Sequence, residues 1–199
     1  MGMELKIVQA GDPVLRKQGR TLTRDEILSP RIQQLIELMR AAMREAPGVG
    51  VAAPQIGESM QLAVIEDRAD YLSDLSAEQL AKYQRAAVPF HVVINPKLTV
   101  VGNSSAQFFE GCLSVAGFSA VVDRALKVRV ECLNERAEAV TIDAEGWYAR
   151  ILQHEIDHLN GVLYIDRMKT RTLSTAENMF RFWKNQSMHE ILTNLGCED

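Results

Sequence analysis

His154 and His158 stand four residues apart, with Glu155 directly after the first, in the run His154-Glu155-Ile156-Asp157-His158. Side chains four apart on a helix project from one face, with about 5–6 Å between their Cβ atoms. Two imidazoles so placed can grip one divalent ion. The glutamate beside the first histidine lies near that ion without having to ligate it, which suits it to take a proton from an activated water. Such a short pattern also arises by chance, as two histidines on a solvated helix. The neighbours argue otherwise: Trp147, Ile151, Leu152, Ile156 and Leu159 surround the pair with apolar side chains. That makes a mostly buried helix, and buried imidazoles need partners.

Two histidines are too few. A catalytic metal usually takes three protein ligands and keeps one position open. His91 and His189 each sit alone and read as ordinary core or surface histidines. Cys112 is a further candidate, in Glu110-Gly111-Cys112-Leu113-Ser114 after Phe108-Phe109. Gly111 lets the backbone approach closely, and a thiolate is a suitable soft ligand. Any one cysteine can equally be a small buried hydrophobe. A metallopeptidase of the His-Glu-x-x-His type would draw its third ligand from downstream, where Asp166 and His189 stand. A non-catalytic binding module stabilised by zinc would fill all four positions with side chains.

The elements that position these residues are legible in part. Thr23-Arg24-Asp25-Glu26 has the form of a capping box. Ser29-Pro30 is a second start signal, and Ile32, Leu35, Ile36, Met39 and Met43 then recur at helical spacing. Residues 30–45 are predicted as an amphipathic helix, ended by Pro47-Gly48. Strands are predicted at 61–65, 91–95, 98–101, 121–122, 127–133 and 139–142, alternating as half-buried antiparallel strands do. Residues 67–88 are polar and helix-prone, and read as a surface insertion between strands. A helix over 143–160 carries the histidines, with Gly161 just past its end. Ser174-Thr-Ala-Glu177 reads as a capping box opening a C-terminal helix to 195, with Phe180, Trp183, Ile191, Leu192 and Leu195 on it. The expected class is α+β: short antiparallel sheets packed around a central helix, plus an N-terminal and a C-terminal helix.

The chain has 199 residues, 47% of them hydrophobic, and a formal net charge of −4. That is enough for one sizeable core, so residues 1–199 are expected to form one domain. The charge does not provide the basic face that direct DNA binding needs. No apolar run approaches the roughly 20 residues of a membrane span. Three cysteines in a chain of this size fit a reducing compartment. The N-terminus lacks a signal-peptide apolar stretch, so the cytoplasm of a bacterium is expected, or an organelle matrix if a transit peptide has been removed.

Three segments together resemble the peptide deformylases: Gly48-Val-Gly-Val-Ala-Ala-Pro-Gln-Ile-Gly57, Glu110-Gly-Cys-Leu-Ser114 and Gln153-His-Glu-Ile-Asp-His158. The resemblance covers roughly residues 5–170. Ser114-Val-Ala-Gly-Phe118 and Gly146-Trp-Tyr-Ala-Arg-Ile-Leu-Gln153 are most similar to the branch with mitochondrial and some bacterial enzymes. Val51 stands where leucine is commoner in the family, a change of packing only.

The resemblance implies a metal-dependent hydrolase of a linear amide. It would remove the formyl group from N-terminal formyl-methionine of new polypeptides and release formate. It implies Cys112, His154 and His158 as ligands of one divalent ion, Fe2+ or Zn2+, with Ni2+ or Co2+ as substitutes. Glu155 would be the base, with the Gln55 amide and the Leu113 N–H stabilising charge on the formyl oxygen. Gly48, Val49, Gly50, Phe108, Glu110, Trp147, Arg150 and Ile151 would line or approach the substrate. Trp147 and Ile151 also fall on the face of His154 by helical spacing. Arg124 is a candidate ion-pair partner near the site, and Asp157 a candidate to orient a ligand histidine. The implied partners are nascent formylated chains, with transient ribosome association. Cys112 within Glu-Gly-Cys-Leu-Ser argues against the peptidase alternative, and a glutamate placed as a base argues against the binding module.

Overall fold

The computed structural model describes residues 5–46, 48–73 and 75–197. Helix α1 (Arg24–Leu28) starts in the expected capping box: the Thr23 hydroxyl accepts from Glu26 N–H, and the Glu26 carboxylate accepts from Thr23 N–H. Helix α2 (Pro30–Glu45) has Ser29 as its cap and Pro30 in its first turn, and buries Ile32, Leu35, Ile36, Met39 and Met43. These are the residues whose spacing predicts the helix. Pro47, expected to help end it, lies outside the described residues.

Strand β1 (Gly50–Ala52) runs into a 3-10 turn (Ala53–Ile56), and β2 (Leu62–Asp67) pairs antiparallel beside it, Gly50 opposite Ile65. The segment between β2 and the next strand carries α3 (Ala69–Leu72) and α4 (Ala77–Tyr83). Strand β3 (Val88–Val100) joins the two strands predicted at 91–95 and 98–101 into one. Its register shifts between Ile94 and Lys97, where Asn95 has φ 50. Then follow β4 (Ser105–Cys112), β5 (Val115–Ala125), β6 (Lys127–Leu133) and β7 (Ala139–Glu145). Helix α5 (Gly146–Leu159) carries the histidines and starts three residues later than predicted, because Asp143 to Glu145 pair with β6.

A five-stranded antiparallel sheet has the order β1-β2-β3-β6-β7. Neighbouring side chains of a strand point to opposite faces. Leu62 and Val64 of β2 accordingly join the core of α2, whereas Ile65 joins that of Ile151, Leu152 and Ile156 on α5. The sheet is thus the middle layer between the two long helices. The second sheet, β4-β5-β8, is completed by β8 (Ser174–Thr175), and α5 packs against strands of both sheets. The architecture is α+β, as expected.

The C-terminal prediction needs correction. Ser174 and Thr175 pair with β5, and Thr175 rather than Ser174 caps the short helix α6 (Ala176–Asn178). A π-helical turn (Met179–Trp183) follows, and a separate helix α7 (Met188–Leu195) restarts at a capping box of Ser187 and Glu190. Of the apolar residues expected on one helix face, Ile191 is buried while Phe180 is exposed.

Candidate metal centre and active site

The β4–β5 hairpin delivers the cysteine. Its pairing runs Gly111 opposite Ser119, then shifts so that Cys112 faces Val115, leaving Leu113 and Ser114 as the tight turn. The Cys112 Sγ lies 3.2 Å from His158 Nε2, and ligand atoms of Cys112, His154 and His158 all lie within 4.8 Å of one another. Three such ligands around a tetrahedral ion sit about 3.5 Å apart, so the set fits one ion with small side-chain adjustments. Among the described residues, this trio is the only such cluster of histidine, cysteine and carboxylate groups. His91 is elsewhere: its Nδ1 donates to the Pro89 carbonyl, and its Nε2 accepts from the Tyr148 hydroxyl. Asp166 is engaged with Arg16 and the Leu163 N–H.

Glu110, two residues before the cysteine, organises the histidines. Its carboxylate meets His154 Nδ1 at 3.1 Å, which leaves His154 Nε2 for a metal. It also accepts two hydrogen bonds from Arg124, at 3.0 and 2.9 Å, and one from Arg150. Burial disfavours the charged Glu110, but His154 and Arg124 outweigh it and hold the group far below the usual carboxylate range. Arg124 reaches on to Asp157, which Arg167 also clasps with two bonds, at 2.7 and 2.8 Å. Asp157 therefore holds arginines, and it is Glu110 that orients a ligand histidine. Arg124 is buried, and its two carboxylates overcome the cost of burial and raise its pKa. Burial and the neighbouring His154 charge push His158 well below its ordinary value, towards the neutral ring a metal needs.

Glu155 is 4% exposed, and its Oε2 finds no hydrogen-bond partner among the described residues. Burial, reinforced by Glu110 and opposed by His154, pushes its pKa up to about 7. Burying a carboxylate oxygen without a partner is costly, and a group so perturbed in a cleft marks a candidate functional site. It packs against the backbone of β1: a Cβ built on Gly50 would lie 2.4 Å from Glu155 Oε1. Only glycine tolerates that approach.

Gln55, 2% exposed in the 3-10 turn, uses its oxygen to accept from Ala52 N–H at 2.8 Å. Its amide nitrogen must then point the other way, and it lies 3.4 Å from both Cys112 Sγ and Ser114 Oγ. The Ser114 N–H also points at the sulfur, at 3.4 Å.

A cavity of about 390 Å³ opens onto these groups. Gly48, Val49, Gly50, Glu110, Leu113, Trp147, Arg150 and Ile151 line it, together with Cys112, His154, Glu155 and Gln55. Phe108 instead lines a neighbouring cavity, while Phe109 reaches the central one. Phe118 and Ala176, which the sequence does not single out as site residues, line it too. Phe118 belongs to a segment notable only for its resemblance, and Ala176 lies in a C-terminal segment whose capping signal says nothing of the site.

Comparison with known proteins gives the family and the fold. The polypeptide deformylase family model matches residues 4–174. The chain is 51% identical over 173 residues to tomato (Solanum lycopersicum) chloroplastic peptide deformylase 1A, covering 87% of this chain and 62% of that protein. It is 44% identical over 196 residues to peptide deformylase 3 of Streptomyces avermitilis, covering 98% and 85%. It superposes with a TM-score of 0.75 and 31% identity on the Met-Ala-Ser-bound class I type b enzyme of Acinetobacter baumannii, covering 84% of this chain and all of that one.

Proposed function

The chain belongs to the peptide deformylase family, and on that premise we propose that it hydrolyses the formamide of N-formyl-methionine on newly made polypeptides. Formate and a free α-amine are the products. The observation that carries this is the convergence of Cys112, His154 and His158 beside a buried carboxylate with an unpaired oxygen.

Cys112, His154 and His158 hold one divalent ion, with Fe2+ or Zn2+ as the native metal and Ni2+ or Co2+ as substitutes. When bound, the ion lowers the pKa of water and polarises the formyl carbonyl. Glu155 accepts the proton of the attacking water through its unpaired oxygen and returns it to the departing amine. The Gln55 amide and the Leu113 N–H donate to the formyl oxygen as it gains charge. Glu110 keeps His154 turned towards the ion. Strand β1 is the outer strand of its sheet, so its free side near Gly48–Gly50 can pair with an extended peptide backbone. The apolar wall of Val49, Trp147 and Ile151 receives the methionine side chain, and Arg150 backs it.

Nascent formylated chains are the substrates, met in transient association with the ribosome, in a bacterial cytoplasm or an organelle matrix. No described helix is long and apolar enough to cross a membrane.

The reading is tested by anaerobic preparation, metal analysis and a formate assay on formyl-Met-Ala-Ser, with Met-Ala-Ser as the control. One metal per chain and formate from the formylated peptide alone are expected. Cleavage of the Met–Ala bond would favour a peptidase instead.

A further inference from the structure

The segment between β2 and β3 is planted on the aromatic wall behind the metal site. The Tyr83 ring at the end of α4 meets Phe108 edge-on at 4.8 Å between centroids, and Trp147 at 5.5 Å. Two residues on, the Arg85 guanidinium lies over the same indole at 5.2 Å. Arg85 is itself fixed, because its Nε and Nη2 donate to the Asp67 carboxylate at 2.7 and 2.8 Å. That carboxylate is fully buried. Asp67 ends β2 and Arg85 shortly precedes β3, so the pair closes the segment at its base.

Between them Gln84 takes a left-handed conformation, φ 46, and presses on the first turn of α5. A Cβ on Gly146, whose φ is 59, would lie 2.4 Å from the Gln84 Cβ. The next residue is Trp147, which lines both the central cavity and the neighbouring one. Tyr83 lines the neighbouring cavity and therefore backs the wall from outside.

We propose that Tyr83 is a specificity-determining residue: packed behind Trp147 and Phe108, it fixes how deep the apolar pocket for the substrate's first side chain can be. This rests on the deformylase reading above. Side chains at packed positions transmit volume changes to their neighbours. Removing the Tyr83 ring leaves space into which Trp147 can retreat, and the pocket deepens. Formyl-methionine then packs less well, and a bulkier first residue fits better. Proton transfer depends on Glu155 and charge stabilisation on Gln55, so the rate of the chemical step on the normal peptide should hold.

The test is steady-state kinetics of wild type, Tyr83→Ala, Tyr83→Leu and Tyr83→Phe on formyl-Met-Ala-Ser and formyl-Phe-Ala-Ser. Tyr83→Ala should raise KM for the methionyl peptide about tenfold with kcat within about twofold. It should also shift the kcat/KM ratio towards the phenylalanyl peptide by about tenfold or more, the scale of a changed apolar pocket. Tyr83→Phe, which keeps the ring, should behave as wild type. An unchanged ratio in Tyr83→Ala and Tyr83→Leu, at wild-type metal content and circular dichroism, overturns the proposal. If Tyr83→Ala fails to fold, Tyr83→Leu must still shift the ratio. Wild-type protein that releases formate from neither peptide overturns the deformylase reading, and this proposal with it.

Discussion

The α-carbon of Gly50 abuts the carboxylate of Glu155: a methyl group at residue 50 would sit 2.4 Å from Oε1 and 2.5 Å from Cδ. The edge strand β1 thereby seats the base carried by α5, across more than a hundred residues of sequence. Gly50→Ala should push Glu155 out of line. A misplacement of about 1 Å can cost about 10²-fold in rate, so kcat should fall by at least about that factor while the metal stays bound. Formate release and metal analysis on the same preparation check it.

Gln55 presents its amide nitrogen to the site because Ala52 N–H occupies its oxygen. Gln55→Ala should lower kcat by ~10²–10³, the usual cost of losing one such donor. Metal content should be unchanged, and KM should move far less than kcat. A loss confined to KM would make Gln55 a binding residue only.

Glu110 and Arg124 form a buried pair that extends to Asp157. Removing one partner of such a pair leaves an uncompensated charge, at a cost of about 3–5 kcal/mol. Arg124→Ala should therefore lower stability by about that amount in urea unfolding. Glu110→Gln releases His154 from its orienting carboxylate and should weaken metal binding by about 10–100-fold. Competition against a chromogenic chelator reads this without any assay of turnover.

Arg44 at the end of α2 holds Glu66 on β2 with two bonds at 2.7 Å, and this salt bridge lowers the glutamate's pKa below its ordinary value of 4.5. A depressed carboxylate pKa stabilises the fold above the unfolded value, and that stability is lost as pH falls through the folded value. Stability should drop in part through this pair as pH is lowered below the ordinary carboxylate value of 4.5. Glu66→Gln should make the urea midpoint less sensitive to pH over that window, with a lower midpoint at pH 7.

What the sequence reveals and what it hides follow from the range of the interactions. Helix α2 is readable to the residue because its cap, its proline and its apolar face are all local. The histidine pair is readable because four residues on a helix fix their geometry. Strand β1 is not, since Gly-Val-Gly-Val-Ala-Ala looks like a loop until Ile65 pairs with Gly50. Neither is β4, where the choice between Phe108 and Phe109 depends on the register against Val122 and Val121. Alternation says that the two rings face opposite sides, but only the pairing says which side holds the metal. The Glu110–His154 contact spans 44 residues and leaves no local trace. The C-terminal stretch has helical spacing but breaks before Ser187, where a second cap restarts it.

The most direct test compares formate release from formyl-Met-Ala-Ser by wild type and Glu155→Gln, both prepared anaerobically with one equivalent of metal. Wild type should release one formate per peptide consumed, and Glu155→Gln should bind the metal equally yet turn over orders of magnitude more slowly. Equal rates in the two proteins at equal metal content, or no formate from wild type, would contradict a catalytic role for the buried glutamate beside the Cys112, His154 and His158 cluster.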